Sequence, residues 1–208
     1  MSKLNHRIGL YNLFAEFFKE PTAELLNELP DIVGFLQDSF AILHYDIPYE
    51  RYAHWKLNFA DFSELKQSYT ESFQYPNTNR IVPVESIYRQ WTYDKGAEVA
   101  FAKEKGYLMS DAALHMQALY TEFGIEIPDE YVIMPDHICL ELEFAALLLE
   151  HNAEDSYAVF ISEHLTWLKE MSEDAQKKRI PKFYQEVIAV LSQFVDCELK
   201  QLEKPQQY

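Results

Sequence analysis

Cations are missing from a long part of this chain: between Gly106 and Leu168 there is neither Lys nor Arg. The segment carries Asp111, Glu122, Glu126, Asp129, Glu130, Asp136, Glu141, Glu143, Glu150, Glu154, Asp155 and Glu163 instead. With a formal net charge of -16, the chain lacks the clustered Lys and Arg that phosphate contacts need, which excludes nucleic acid as a partner. An anionic membrane surface is disfavoured for the same reason. A basic partner is the natural complement, beside the plainer reading that excess acid serves solubility.

Other absences narrow the function further. Cys139 and Cys197 are the only cysteines, without CxxC spacing, so no disulfide framework is expected and a reducing cytoplasm is the expected home. No window approaches the ~20 apolar residues that span a bilayer. The start, Met1 to Arg7, has none of the marks of a signal peptide. Gly-x-Ser-x-Gly, a Gly-rich phosphate loop, His-Glu-x-x-His and Glu-x-x-His are all absent. Catalytic residues, metal and cofactor are accordingly not expected, and stable membrane insertion is not expected either.

What is present is helical periodicity with abundant aromatics, 14 Phe and 14 Tyr. Leu10, Leu13, Phe14, Phe17 and Phe18 share one face of a first helix that Pro21 ends. A short helix follows from Thr22, another from Pro30 towards His44, and another from Pro48 through Trp55. Asp61-Phe62-Ser63-Glu64 has capping-box spacing and opens a fifth. The pattern predicts a helix from Tyr88 or Arg89 to about Lys105, one from Ser110 to Gly124, one from Pro135 to about Asn152, one from Asp155 through Trp167, and a last one from Ile180-Pro181. Lys177-Lys178-Arg179 reads as a solvated connection. The fold class is thus all-α: residues 1–208 as a single helical bundle of nine or ten helices. Irregular connections fall near 75–87 and 125–135, where loops on a rigid scaffold would carry a site.

The most informative local feature is Pro135-Asp136-His137-Ile138, followed by Glu141-Leu142-Glu143-Phe144. An Asp in a first helical turn interacts favourably with the helix dipole, contributing about 0.3–1 kcal/mol. His137 and Glu141, at i and i+4, share a face. Capping, cation capture and a metal site that would use His137, Glu141, His151 or His164 all stand at this point. Cys139 lies in an apolar run, where a buried, inert thiol is the expectation.

Four segments, in order, resemble the TorD/DmsD family of cytoplasmic chaperones for molybdenum-cofactor enzymes. These are Tyr11-x-Leu13-Phe14-x-x-Phe17-Phe18, Pro83-Val84-Glu85-Ser86-Ile87-Tyr88, the Asp136-His137 block, and Phe160-x-x-x-His164-Leu165-x-Trp167. The resemblance implies a chaperone without turnover. Such a protein binds the twin-arginine signal peptide and apoprotein of a molybdopterin oxidoreductase, assists cofactor insertion and prevents premature export. Some members form domain-swapped homodimers, and a related nitrate-reductase-type assembly factor recognises a client tail instead. In the family, the peptide site lies near the blocks that here hold Glu85, Ser86 and Tyr88 with Pro135, Asp136 and His137. Many members carry an acid where this chain has Met134. Residue chemistry adds Glu141 as a further carboxylate and Trp91 as an aromatic wall. Replacing Asp136 or His137 is then expected to weaken peptide capture with little loss of fold.

Overall fold

The computed structural model describes residues 1–202. Its elements are α1 (Lys3–Glu16), α2 (Ala23–Leu43), α3 (Phe62–Phe73), α4 (Glu85–Tyr88), α5 (Asp111–Phe123), α6 (Ile138–Glu150), α7 (Glu154–His164), α8 (Leu168–Lys178) and α9 (Lys182–Leu202). Three single 3-10 turns lie between them, and there is no strand among the described residues. The chain is all-α, with α4 a single turn, so the helices of two or more turns number slightly fewer than the periodicity predicts.

The starts of the helices follow local chemistry. Ser2, Thr22, Asp61 and Ser110 cap α1, α2, α3 and α5 by accepting backbone N–H bonds. Glu64 reaches back to accept from Ala60 N at 2.8 Å beside the Asp61 cap, one residue beyond the reciprocal bond of a capping box. Gly124 ends α5 at φ 67°, a left-handed conformation open to glycine without steric cost.

Four expectations are corrected. The second and third helices are one: Pro30 lies inside α2 on its exposed side, where the missing i→i−4 bond faces solvent. The segment from Pro48 to Phe59 holds only 3-10 turns. Helix α8 takes up residues assigned to a connection. Most importantly, 89–110 is not helical. There Trp91 N bonds to Glu104 O, Thr92 N to Ala102 O and Asp111 N to Trp91 O. The aromatic spacing that mimics a helical face is instead a loop cluster, with Phe101 5.0 Å from Trp91 and 4.7 Å from Tyr107 between ring centroids. Asp111 holds it from α5, accepting from Thr92 Oγ1 and Tyr93 N.

The most extensive helix pair is α1 on α6, with α8 on α9 next and α7 bridging α6 to α9. One contiguous core joins them, in which Phe14 and Phe194 stack and Tyr11 packs edge-on. Burying such rings supplies much of the hydrophobic stabilisation. Helix α6 is the centre of the molecule. One side presses on α1, and its other flank meets α7 and the chain that precedes α4.

Candidate functional site

The two sequence blocks meet. Val84 and His137 form an isolated antiparallel bridge, with Glu85 N bonded to Asp136 O at 3.0 Å and Ile138 N to Pro83 O at 2.9 Å. The bridge fixes the start of α4 against the start of α6. It gathers Glu85, Ser86, Asp136, His137 and Glu141 in one buried cluster, reached also by His164 and Trp167.

Asp136 does not belong to the first turn of α6. That helix begins at Ile138, and its cap is His137, whose Nδ1 accepts from Cys139 N at 3.3 Å. Accepting there leaves Nδ1 without a proton, so the neutral ring carries its hydrogen on Nε2. Burial pushes the His137 pKa down to about 4, which favours the same neutral form. The Cys139 thiol, 3.0 Å from the same Nδ1, is pushed up to about 12 by burial and is not a nucleophile at neutral pH.

Asp136 serves α4 instead. Its Oδ2 accepts from Ser86 N at 2.7 Å and from the Ser86 hydroxyl, and the Ser86 Oγ lies 2.8 Å from Ser110 Oγ, the cap of α5. Burial raises the Asp136 pKa, and the Ser86 bonds only partly oppose it. Oδ1 has no partner, and the side chain is fully buried. Its position at a helix start was legible; which helix it serves was not.

The remaining carboxylates are equally enclosed. Glu85 accepts from its own chain's Arg89 Nε at 3.1 Å and from His164 Nδ1 at 2.7 Å. His164 Nε2 passes the chain on to exposed His115, 2.8 Å away. Glu141 accepts from Trp167 Nε1 at 3.1 Å. Burial first, then the charges of Glu85 and Asp136, raises its pKa well above the carboxylate range. Its Oε1 has no hydrogen-bond partner, and a carboxyl that keeps its own proton leaves no unpaired charge there. Pro135 is buried, its carbonyl accepting from Tyr120. Tyr88 stacks on Trp167 at 5.2 Å and reaches Asp174. Trp91 stands apart in the loop, half-buried, with Nε1 bonded to Leu108 O.

Of the eight residues expected to bind a peptide, six are therefore buried polar or structural groups of one junction, Tyr88 packs beside it, and Trp91 lies elsewhere. The expectation that Asp136 can be replaced with little loss of fold does not agree with its burial. Arg89 and His115 complete the junction, together with Ser110, the cap of α5. Local sequence marks Ser110 as a helix start and Glu85–Arg89 as an i,i+4 pair, but not the contacts of Ser110 with Ser86 and His115 with His164, which lie 24 and 49 residues apart.

Among the described residues, two triads bring metal-ligating atoms within 4.8 Å of one another: His115, Glu163, His164 and Glu85, Glu141, His164. A tetrahedral zinc ion draws such atoms to about 3.3 Å. Glu85 and His164 already bond to each other, and Trp167 donates to Glu141 Oε2. His137 and His151 belong to neither triad.

A groove of about 510 Å³ opens on Glu85, Arg89, His115 and His164, and two others flank the junction. The larger, about 890 Å³, is walled by Pro83, Val84, Met134 and His137 on one side and by Phe18, Tyr69, Phe73 and Tyr75 on the other. The second, about 420 Å³, lies between α5 and α7 with α6 as its floor.

The chain matches the nitrate reductase delta subunit family over residues 18–185, most of its length, and belongs to that family. This is the family of maturation chaperones to which the TorD/DmsD resemblance points. No curated protein matches the chain. Among solved structures, the chain is similar to a protein from Archaeoglobus fulgidus described as a candidate redox enzyme maturation protein. The identity is 18%, with 98% of this chain and 95% of that chain covered at a TM-score of 0.52, a likeness of fold. No helix among the described residues is long and apolar enough to cross a membrane.

Proposed function

We propose that this chain is a cytoplasmic chaperone that captures the twin-arginine signal peptide, and the apo form, of a molybdenum-cofactor oxidoreductase, and holds the client until its cofactor is inserted. The observation that carries this reading is the 890 Å³ groove formed where the Val84 and His137 segments join. Its aromatic and aliphatic walls suit an extended apolar segment, and the buried polar junction fixes the wall to which Val84 and His137 both belong. Glu85, Ser86, Asp136, His137 and Glu141 then act mainly by holding the groove's shape, with His137 on the groove wall.

Titration calorimetry with the N-terminal peptide of the oxidoreductase encoded nearest to this gene tests the reading. Saturable binding is expected, weakened by Tyr75→Ala and Met134→Ser, which alter the wall without touching the junction. No binding to the native protein overturns it. The family match supports a second reading, an assembly factor of the nitrate-reductase type. Binding of the client subunit but not of its isolated signal peptide would select that one.

A further inference from the structure

The segment without cations has a tertiary consequence. It supplies all of α5, α6 and α7, so the groove between α5 and α7 is lined by no Lys or Arg, and Glu122, Asp155 and Glu163 are its acidic residues. Glu122, Asp155 and Glu163 stand exposed on its rim, and no carboxylate of the three has an ion-pair partner among the described residues. Cations from elsewhere do reach this region, but they engage other groups. Arg7 pairs with Glu154, Lys19 with Glu143, and Arg89 takes the Glu163 backbone carbonyl.

Between the carboxylates runs a line of rings. Phe144 lies 5.1 Å from Phe123 and 5.0 Å from Phe160, Phe160 stacks on His164 at 5.1 Å, and His164 lies 4.8 Å from His115. Phe123 and Val159 remain 42% and 57% exposed, leaving apolar surface with no covering element. Carboxylates at the edge of aromatic faces make a site for guanidinium, which forks onto the former and stacks on the latter. A bare ammonium uses only part of such a surface. Phe144 also walls a smaller groove of about 270 Å³, which shares Leu140 and Glu143 with the 890 Å³ groove, so the grooves succeed one another along α6.

We propose that the α5–α7 groove is the docking site for the arginine-bearing part of the partner peptide, whose apolar part lies along α6 towards the 890 Å³ groove. This rests on the peptide-capture reading above and adds a site, a chemistry and a direction to it.

The test is fluorescence anisotropy with a labelled peptide in which two adjacent arginines precede an apolar stretch. Three proteins are compared: native, the rim variant Glu122→Gln/Asp155→Asn/Glu163→Gln, and a remote variant Glu24→Gln/Glu28→Gln/Asp31→Asn. The remote variant removes the same charge from exposed positions on α2. The rim variant is expected to bind about tenfold more weakly and the remote variant within about twofold of native, because screening confines exposed charges to short range. Replacing both arginines by lysines is expected to weaken native binding several-fold. Equal losses in the two variants, or none in the rim variant, would overturn the groove assignment while leaving peptide capture standing. Failure of the native protein to bind overturns peptide capture itself, and this occupant with it. All six positions are exposed, so circular dichroism should show unaltered folding.

Discussion

The carboxylate of Asp136 caps a helix it does not belong to. Its Oδ2 accepts from Ser86 N at 2.7 Å across a separation of 50 residues. Val84, the residue at the natural cap position of α4, has no side chain that could do so. A four-residue helix with such an end would otherwise bury an unsatisfied donor.

Asp136→Ala is therefore expected to destabilise the fold by about 1–3 kcal/mol, since it strands the Ser86 backbone donor in a dry site. Asp136→Asn retains an acceptor oxygen and should cost less. Urea denaturation of both variants measures the difference. Equal midpoints for native and Asp136→Ala would show that the bond does not hold α4.

Glu141 should give the opposite result. Its pKa is raised above 4.5 by burial and by Glu85 and Asp136, so the folded state holds a proton that the unfolded state releases. Stability linked to this group is present below about pH 4.5 and declines as pH rises towards the folded value. Glu141→Gln removes that decline and keeps an acceptor for Trp167. Melting temperatures from pH 5 to pH 8 should favour the variant increasingly. A constant or shrinking difference would mean that Glu141 is ionised in the fold.

His137 contributes a slope of the other sign. Its pKa falls from 6.5 to about 4 on folding, so between those values the unfolded chain binds the extra proton. Stability from the neutral ring is complete above about pH 6.5 and is lost as pH falls, by up to about 3 kcal/mol. His137→Asn keeps a capping oxygen for α6 without a group that titrates there. Denaturation midpoints at pH 5, 6 and 7 should converge between native and variant as pH drops. Parallel curves would argue that His137 keeps its ordinary pKa.

A second buried centre ties the chain's two ends together. Glu198 on α9 accepts from Tyr45 and Tyr157 and pairs with Arg7 of α1 at 2.9 Å, being only 1% exposed. Glu198→Ala removes the partner of a partly buried guanidinium and leaves the Tyr45 phenol unsatisfied, while Tyr157 keeps Tyr11, at an expected cost of about 3–5 kcal/mol. Thermal unfolding of this variant beside Glu154→Ala, which breaks the exposed Arg7 pair, should show a large loss against one below about 1 kcal/mol.

Sequence alone determined the all-α class, most helix starts, the uniform sign of 106–168 and the two blocks that join. Each depends on neighbours within one or two turns: Asp61 caps its own helix, Gly124 ends its own, and Leu10 and Phe14 share a face through the 3.6-residue period. Tertiary structure decided what locality does not reach. It turned the aromatics at 91–107 into a loop cluster held by Asp111, gave Asp136 to α4 rather than α6, and buried the carboxylates expected to meet arginine. The physical reason is that a hydrogen-bonding or apolar group takes whichever partner packing brings within about 3–4 Å, whatever its distance along the chain. The cation-free stretch shows both sides of this: its charge was written in the residues, and its meaning as a groove rim came only when α5 and α7 were set on either side of α6.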